Sequence, residues 1–481
     1  MIGPRDGRIG EDGMRQPNIV LINCDDLGYG DLGCYGSTRN DTPTLDRLAA
    51  EGMRFTDFYM ASPVCSPSRG AMLTGCYPPR IGFGSFDGLP VLFPGQRLGL
   101  DTGETTLASM LRDAGYATQH VGKWHCGDQP EFLPTRHGFD HSFGIPYSND
   151  MGRQVMPEGM PNWPAKLAEM GIAIADEYPP LPLLLDDEVL EQQPDQASLT
   201  ARFAAESVRF IRANHDRPFF LYLAHIYVHL PIYVQQRFAD ASRNGAYGAA
   251  VASIDWTTDV ILTELRRLGL DDDTIVIFTS DNGSRARDEG GSNEPLRGTK
   301  GQTWDGGLRV PFVVRWPGHV PAGAVCSDVV SSIDLLPTFA TIAGGELPAR
   351  AIDGCDVSAL LGGESGDPAR VFAYFRGNDL AAVRRGRWKL HVARDGEPVE
   401  ELYDLVADVG ETTDVAGDHA DVVAELQTVA SVVRDDLGDD RLGMDGPGRR
   451  PAGVVTDPHP LTTYDPDHPY YANEYDLTDR G

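Results

Sequence analysis

Two apolar runs, Asn18–Asn23 (NIVLIN) and Thr274–Thr279 (TIVIFT), each stop at a cluster of oxygen-bearing side chains. Continuous apolar runs of this length suit strands buried on both faces, which in a soluble chain means a largely parallel sheet covered by helices. The first runs into Asn23-Cys24-Asp25-Asp26, the second into Ser280-Asp281-Asn282-Gly283. Functional groups in open parallel sheets gather at the carboxyl ends of strands, so two clusters far apart in sequence can meet at one edge. Asp25, Asp26, Asp281 and Asn282 would then form a hard, all-oxygen site suited to Ca²⁺ or Mg²⁺ rather than zinc.

The rest of the chain alternates in the same way and reads as α/β. A helix is expected over Thr42–Glu51, with Thr42 as cap, Pro43 in the first turn and Gly52 closing it. Phe219–Ala224 reads as a strand, and Tyr247–Leu268 has apolar residues at helical spacing. From Val371 the pattern changes to short strands (Val371–Arg376, Ala381–Arg384, Trp388–Val392) with Gly-bearing turns, an antiparallel meander, then a helix near Ala420–Leu437. The expected division is residues 17–370 as an α/β catalytic domain, 371–437 as a small α+β unit, and 438–481 as linker and tail. Residues 151–198, rich in Pro and Met, read either as a surface excursion or as loops shaping a pocket. The tail from Pro451 is rich in Pro and Asp but carries Tyr464, Tyr470, Tyr471 and Tyr475. Disordered tails are poor in aromatics, so this one is expected to dock on a folded surface.

Charge narrows the partners. With 41 Lys and Arg against 71 Asp and Glu, the net charge of −30 repels a phosphate backbone or an anionic membrane. No apolar run is long enough for a membrane-spanning helix. Met1–Gln16 has no apolar segment of the kind a secretory signal needs, and the seven cysteines are scattered without a C-x-x-C pair. A cytoplasmic location is expected, with neither a nucleic-acid nor a membrane partner. Gly28-Tyr29-Gly30-Asp31-Leu32-Gly33 matches G-x-G-x-x-G, but breakers follow it where a helix should open, and Asp25, Asp26 and Asp31 would repel a pyrophosphate.

The sharpest motif is Cys65-Ser66-Pro67-Ser68-Arg69, followed by Leu73-Thr74-Gly75. Ser66 is a good N-cap and Pro67 fits a first turn. Residue 65 would then lie at a helix N-terminus, where amides and the dipole favour an anion, with Arg69 one turn on. Read without further context, Cys65 could equally be an inert buried thiol before an ordinary helix. Gly122-Lys123-Trp124-His125, Gly144–Ser148, His229-Leu230-Pro231, Gly298-Thr299-Lys300-Gly301, Gly306–Pro311, Asp334–Thr338 and Leu402–Leu405 with Asp408 and Glu411 follow in order.

This series, over about residues 17–435, resembles the type I sulfatases, most closely the arylsulfatase A-like members. The resemblance implies an alkaline-phosphatase-like α/β sandwich with a central mixed β-sheet and a small C-terminal antiparallel-sheet domain. It implies hydrolysis of aryl or carbohydrate sulfate monoesters. Cys65 would be oxidised by a formylglycine-generating enzyme to formylglycine, hydrated to a geminal diol. Asp25, Asp26, Asp281, Asn282 and residue 65 would hold one divalent ion, usually Ca²⁺, with Mg²⁺ as the alternative. Arg69 would support the diol, Lys123 and Lys300 would bind sulfate oxygens, and Ser148 would lie beside them. One diol hydroxyl would attack sulfur while His229 or Lys300 protonates the leaving alcohol. His125 would then take a proton from the other hydroxyl, which expels sulfate from the covalent sulfo-enzyme. A homo-oligomer is a further expected partnership.

Three features depart from the family pattern: Asp305 stands where Glu is usual, Cys76 follows Thr-Gly where a basic residue is common, and His391 is a poorly aligned candidate for a C-terminal substrate histidine. His225 reads as a core or surface histidine, and the other six cysteines as small buried residues. Two rivals follow from the same residues: a phosphonate or phosphodiester hydrolase that shares the motif, and a silent binding protein in which Cys65 stays a thiol.

Overall fold

The computed structural model describes residues 16–153 and 178–470. The strands of its main sheet are β1 (Asn18–Cys24), β2 (Met53–Phe55), β3 (Ala117–Lys123), β4 (His141–Ile145), β5 (Pro182–Leu185), β6 (Glu188–Gln192), β7 (Phe219–Ala224), β8 (Thr274–Ser280), β9 (Phe312–Arg315) and β10 (Ala324–Cys326). Their order is β10-β2-β9-β8-β1-β7-β3-β4-β5-β6. The five strands from β8 to β4 run parallel, and antiparallel pairs β8–β9, β9–β2, β4–β5 and β5–β6 flank them. The central mixed sheet expected from the family is therefore present.

β1 shows why a continuous apolar run is needed at the centre. Successive side chains point to opposite faces of a strand. Ile19 and Leu21 join a core with helices α2 (Cys65–Thr74), α3 (Leu107–Asp113) and α6 (Leu335–Ala343). Val20 and Ile22 join the opposite core with α1 (Pro43–Glu51), α4 (Gln196–Ala213) and α5 (Gly245–Arg267). Both faces are covered, which is the sandwich.

The C-terminal sheet is a four-strand antiparallel meander, β11 (Val371–Arg376), β12 (Asp379–Arg385), β13 (Trp388–Arg394) and β14 (Glu397–Asp404). Helix α7 (Ala420–Leu437) buries Val423, Leu426, Ala430 and Leu437 against it. Tyr59, Ala71, Tyr77 and Ile333 of the main unit share that core, so the two sheets are joined by apolar packing.

Where sequence and structure differ, polar residues are the reason. β3 lacks the apolar pattern of a buried strand because Thr118, Gln119 and His120 interrupt it. All three are buried and hydrogen-bonded, to Gly138 O (2.7 Å), Glu206 (3.1 Å) and Ser142 (2.9 Å). β14, absent from the strands the sequence suggests, buries only Leu402 and Tyr403 of its eight residues. Thr42 does not cap α1 with its hydroxyl. Asp255 reaches across from α5 to accept the amides of Thr44 (3.0 Å) and Leu45 (2.8 Å). Ser66 is not an N-cap either: α2 starts at Cys65 after Val64, and Ser66 Oγ accepts the Leu92 amide at 3.0 Å.

The N-terminal stretch up to residue 15, residues 154–177 of the Pro/Met-rich region, and Tyr471 and Tyr475 lie outside the described residues. Around them, the start of the Pro/Met-rich region forms a turn and its end supplies β5 and β6. No described helix is long and apolar enough to cross a membrane.

The tail docks on its own chain as far as residue 470. Gly453 and Val454 pair with Leu98 and Gly99, and the Val455 amide donates to Arg97 O at 2.9 Å. His459 exchanges two hydrogen bonds with the Gln129 side chain, at 2.9 and 3.1 Å. Thr462 donates to Pro180 O, and Tyr464 stacks on Arg153 and Tyr470. Deleting residues 451–481 should lower the calorimetric melting temperature by at least about 2 °C, the equivalent of roughly 2 kcal/mol in a chain this size. An unchanged midpoint would mark the tail as a passive appendage.

Candidate active site

The site follows from strand register. β1 and β8 pair in parallel from Asn18↔Thr274 to Cys24↔Ser280. One and two steps further, the same offset sets Asp25 beside Asp281 and Asp26 beside Asn282. In a continuing strand Asp25 and Asp26 would face opposite sides. Asp26 instead adopts a left-handed backbone (φ 64°), tolerated by Asp better than by most residues, and the alternation is broken. Oxygens of Asp25, Asp26 and Asp281 lie within 4.8 Å of one another, all buried. Asn282 Nδ2 donates to Asp26 Oδ1 at 2.8 Å, and the Asp26 amide to Asp281 Oδ1 at 3.2 Å.

The other strand ends deliver the cations. β3 ends at Lys123, whose ammonium donates to Asp25 Oδ2 (2.5 Å) and Ser148 Oγ (2.7 Å), Ser148 arriving just after β4. Gly122, before it, is required: its φ is 112°, and a Cβ there would stand 1.8 Å from Ala224 O. Arg69, on α2, donates through Nε to Asp281 Oδ2 (2.8 Å) and through Nη1 to Lys123 O (2.8 Å). Lys300 donates to Asp26 Oδ2 at 2.8 Å. His229, beyond β7, has Nε2 4.0 Å from Asp26 Oδ2 and Nδ1 2.6 Å from Leu230 O. His125 shares a hydrogen bond with Leu92 O at 3.0 Å.

Three carboxylates thus face three cations with almost no solvent. Burial pushes the Asp281 carboxyl up to about 7, the Asp25 charge adds to this, and Arg69 opposes it. Burial also works against Asp25 and Asp26, but Lys123 beside the first and Lys300 beside the second hold both below the usual carboxylate range. Burial, aided by Lys123 for His125 and by Lys300 for His229, keeps both imidazoles below their ordinary value, so both are neutral at pH 7. Burial raises the Cys65 thiol above its ordinary value despite Lys123 and Lys300, so as a cysteine it is a neutral thiol and a weak nucleophile.

Two oxygens in this cluster, Asp25 Oδ1 and Asn282 Oδ1, are buried and accept no hydrogen bond among the described residues. Buried acceptors are ordinarily satisfied. With three clustered carboxylates, they fit a hard divalent cation.

Comparison with known proteins agrees with this geometry. The family profile described as Sulfatase matches residues 17–345. The chain belongs to the sulfatase family. A second profile, N-sulphoglucosamine sulphohydrolase, C-terminal, matches residues 299–435. The chain is 40% identical to arylsulfatase A of Homo sapiens over 444 residues, 86% of each chain. It is 41% identical to N-acetylgalactosamine-6-sulfatase of Rattus norvegicus, over 78% of this chain and 71% of that one. Among solved structures, that of Ps i-CgsB in complex with k-i-k-neocarrahexaose superposes with a TM-score of 0.75 at 31% identity, covering 87% of this chain and 92% of the other. The protein is an arylsulfatase A-like sulfuric ester hydrolase with the alkaline-phosphatase-like sandwich and a small antiparallel C-terminal domain.

All eleven residues singled out from the sequence fall at this one edge of the sheet or on the loops facing it. His225 is buried outside the cluster, with its imidazole pushed down to about 3 by burial. The departures are structural. Asp305 is buried and accepts Tyr59 Oη (2.7 Å), Tyr374 Oη (3.0 Å) and Lys389 Nζ (2.9 Å). His391 is buried on Glu411 at 3.1 Å, and the Arg450 guanidinium, just before the tail, approaches Cys76 Sγ at 3.4 Å. Sequence reasoning missed Lys389, whose only signal was a lysine between Trp388 and Leu390 in a candidate strand.

Removing Arg69 leaves Asp281 without its main counter-charge, and breaking one partner of a fully buried ion pair costs about 3–5 kcal/mol. Arg69→Ala should therefore lower the urea midpoint substantially, and a midpoint equal to wild type would show that the cluster is not held by this arginine.

Proposed function

We propose that this protein hydrolyses aryl or carbohydrate sulfate monoesters with Cys65 converted to formylglycine, whose hydrate supplies the attacking hydroxyl and, afterwards, the hydroxyl that releases sulfate. The observation that carries the reading is residue 65, first in α2 and buried where the charges of Lys123, Lys300, Asp25 and Asp281 all act on its sulfur. Asp25, Asp26, Asp281, Asn282 and residue 65 would hold Ca²⁺, with Mg²⁺ as the alternative, and the ion would draw charge from the sulfate oxygens. On their own the three carboxylates and three cations balance, so a bound divalent ion leaves the site positive and suited to an anionic ester.

The chain's own residues then have distinct tasks. Lys123 and Lys300 bind sulfate oxygens and offset the charge that grows on them in the transition state. Ser148, hydrogen-bonded to Lys123, lies beside the same oxygens. Arg69 holds Asp281 and supports residue 65. His229 donates its Nδ1 proton to Leu230 O, so its Nε2, which faces the cluster, can give up a proton only from the imidazolium form; in that form it, or else the Lys300 ammonium, protonates the leaving alcohol. His125, neutral, accepts the proton when sulfate departs. A cleft of about 510 Å³, with Ser85, Gln302, Trp304 and Asn378 on its walls, begins two residues beyond Lys300 in sequence and would take the organic part of the ester. The division at residues 370 and 437, action of a formylglycine-generating enzyme, a homo-oligomeric state, a cytoplasmic location and the lack of nucleic-acid or membrane partners belong to the same proposal.

Mass spectrometry after trypsin tests the modification. The peptide Phe55–Arg69 from active protein should have the mass of the aldehyde or its hydrate, and finding only thiol in protein that turns over a nitrophenyl sulfate would refute the reading. Faster turnover of a phosphodiester than of an aryl sulfate would favour the phosphonate or phosphodiester rival. His229→Ala should slow an alkyl sulfate by about 10²-fold or more and a nitrophenyl sulfate far less, because a stabilised phenolate leaves without a proton. Equal losses on both would remove His229 from the acid role.

A further inference from the structure

Lys300 reaches the site from a turn that is held on its far side by the C-terminal domain. Its own backbone contacts are few: its amide donates to Ser284 O (3.0 Å) and that of Gly301 to Pro63 O (2.9 Å). Behind it, Glu411 grips both shoulders of the turn. The Glu411 carbonyl accepts from Arg297 Nη1 at 2.7 Å, before Lys300, and Glu411 Oε2 accepts the Asp305 amide at 2.8 Å, after it. Gly306 N donates to Arg297 O at 2.7 Å and closes the loop between those shoulders.

Lys389, from β13, completes the grip. Its ammonium donates to Thr303 O (3.0 Å) and Asp305 Oδ1 (2.9 Å) and forms an ion pair with Glu411 Oε1 (2.7 Å). Lys389, Asp305 and Glu411 are all fully buried. Glu411 also holds a left-handed backbone (φ 50°), a conformation that persists in a non-glycine residue only where its surroundings over-determine it. The turn Asp404–Thr413 supplies those surroundings, with Asp408 accepting the amides of Thr412 (2.7 Å) and Thr413 (2.8 Å).

We infer that Lys389 and Glu411 are positioning residues for Lys300. They touch neither Asp26 nor residue 65, and act by fixing the turn from which the Lys300 ammonium reaches 2.8 Å from Asp26. The inference rests on the sulfatase reading of Lys300 given above. It also gives the Leu402–Glu411 motif a task that sequence alone left open.

A double-mutant cycle in the full-length, modified enzyme separates positioning from general support. Glu411→Gln keeps shape and one acceptor but removes the charge facing Lys389. It should lower kcat/KM for a nitrophenyl sulfate by about 10- to 100-fold, the cost of a misplaced catalytic group. In a Lys300→Ala background the same change should alter kcat/KM by less than about twofold, while lowering the melting temperature equally in both backgrounds. Equal kinetic losses in both backgrounds, or wild-type kinetics in Glu411→Gln, would overturn the inference. If Glu411→Gln does not fold, Lys389→Arg, which retains the buried charge, is taken through the same cycle with the same outcomes expected. A Lys300→Ala enzyme with wild-type kinetics would remove Lys300 from the site and overturn the reading beneath the inference, an outcome distinct from unequal coupling.

Discussion

Every other feature of the site depends on one arrangement: three carboxylates packed at the end of an apolar sheet, each tied to a cation from a different element. Carboxylates this close repel, and burial makes each charge costly. Arg69 from α2 neutralises Asp281, Lys123 from β3 neutralises Asp25, and Lys300 from a distant turn neutralises Asp26. The cluster therefore welds together a helix, two strand ends and a loop that share no local sequence. It also leaves a pocket whose sign is decided by whatever ion joins it.

Much of this could be read from the residues. The apolar runs at β1, β7 and β8 were legible because strands buried on both faces admit little else. Their oxygen-rich ends marked the metal-type cluster without any structure. β3 was not legible, although it carries Lys123, because its buried polar residues find partners only in the folded state. Capping failed for the same reason. Thr42 and Ser66 have the right chemistry, but Asp255 from another helix takes over the first role, and the second hydroxyl is engaged by the loop at Leu92.

The departures from the family pattern show how tertiary context redefines a residue. Asp305 is shorter than the usual Glu, and the Lys389 ammonium and two tyrosine hydroxyls converge on it. Where a basic side chain is common after Thr-Gly, Cys76 receives a guanidinium from just before the tail instead, that of Arg450, which is in turn fixed on Glu104 at 2.6 Å. Neither substitution changes the reacting groups. Both shift part of the support of the catalytic unit onto segments that come much later in the chain.

Cys65 is only 2% exposed, at the start of a helix in which every residue is buried. Any enzyme that is to oxidise it cannot reach it in the finished molecule. Helix α2 is sealed by residues as late as Ile333, Leu336 and Phe372, so the sulfur stays accessible until those parts have been synthesised and packed. On the proposal that Cys65 becomes formylglycine, maturation would be a race between oxidation and closure. A host that folds the chain faster than it oxidises it would accumulate well-folded protein locked permanently as the thiol, alike in shape to its active counterpart and beyond later rescue.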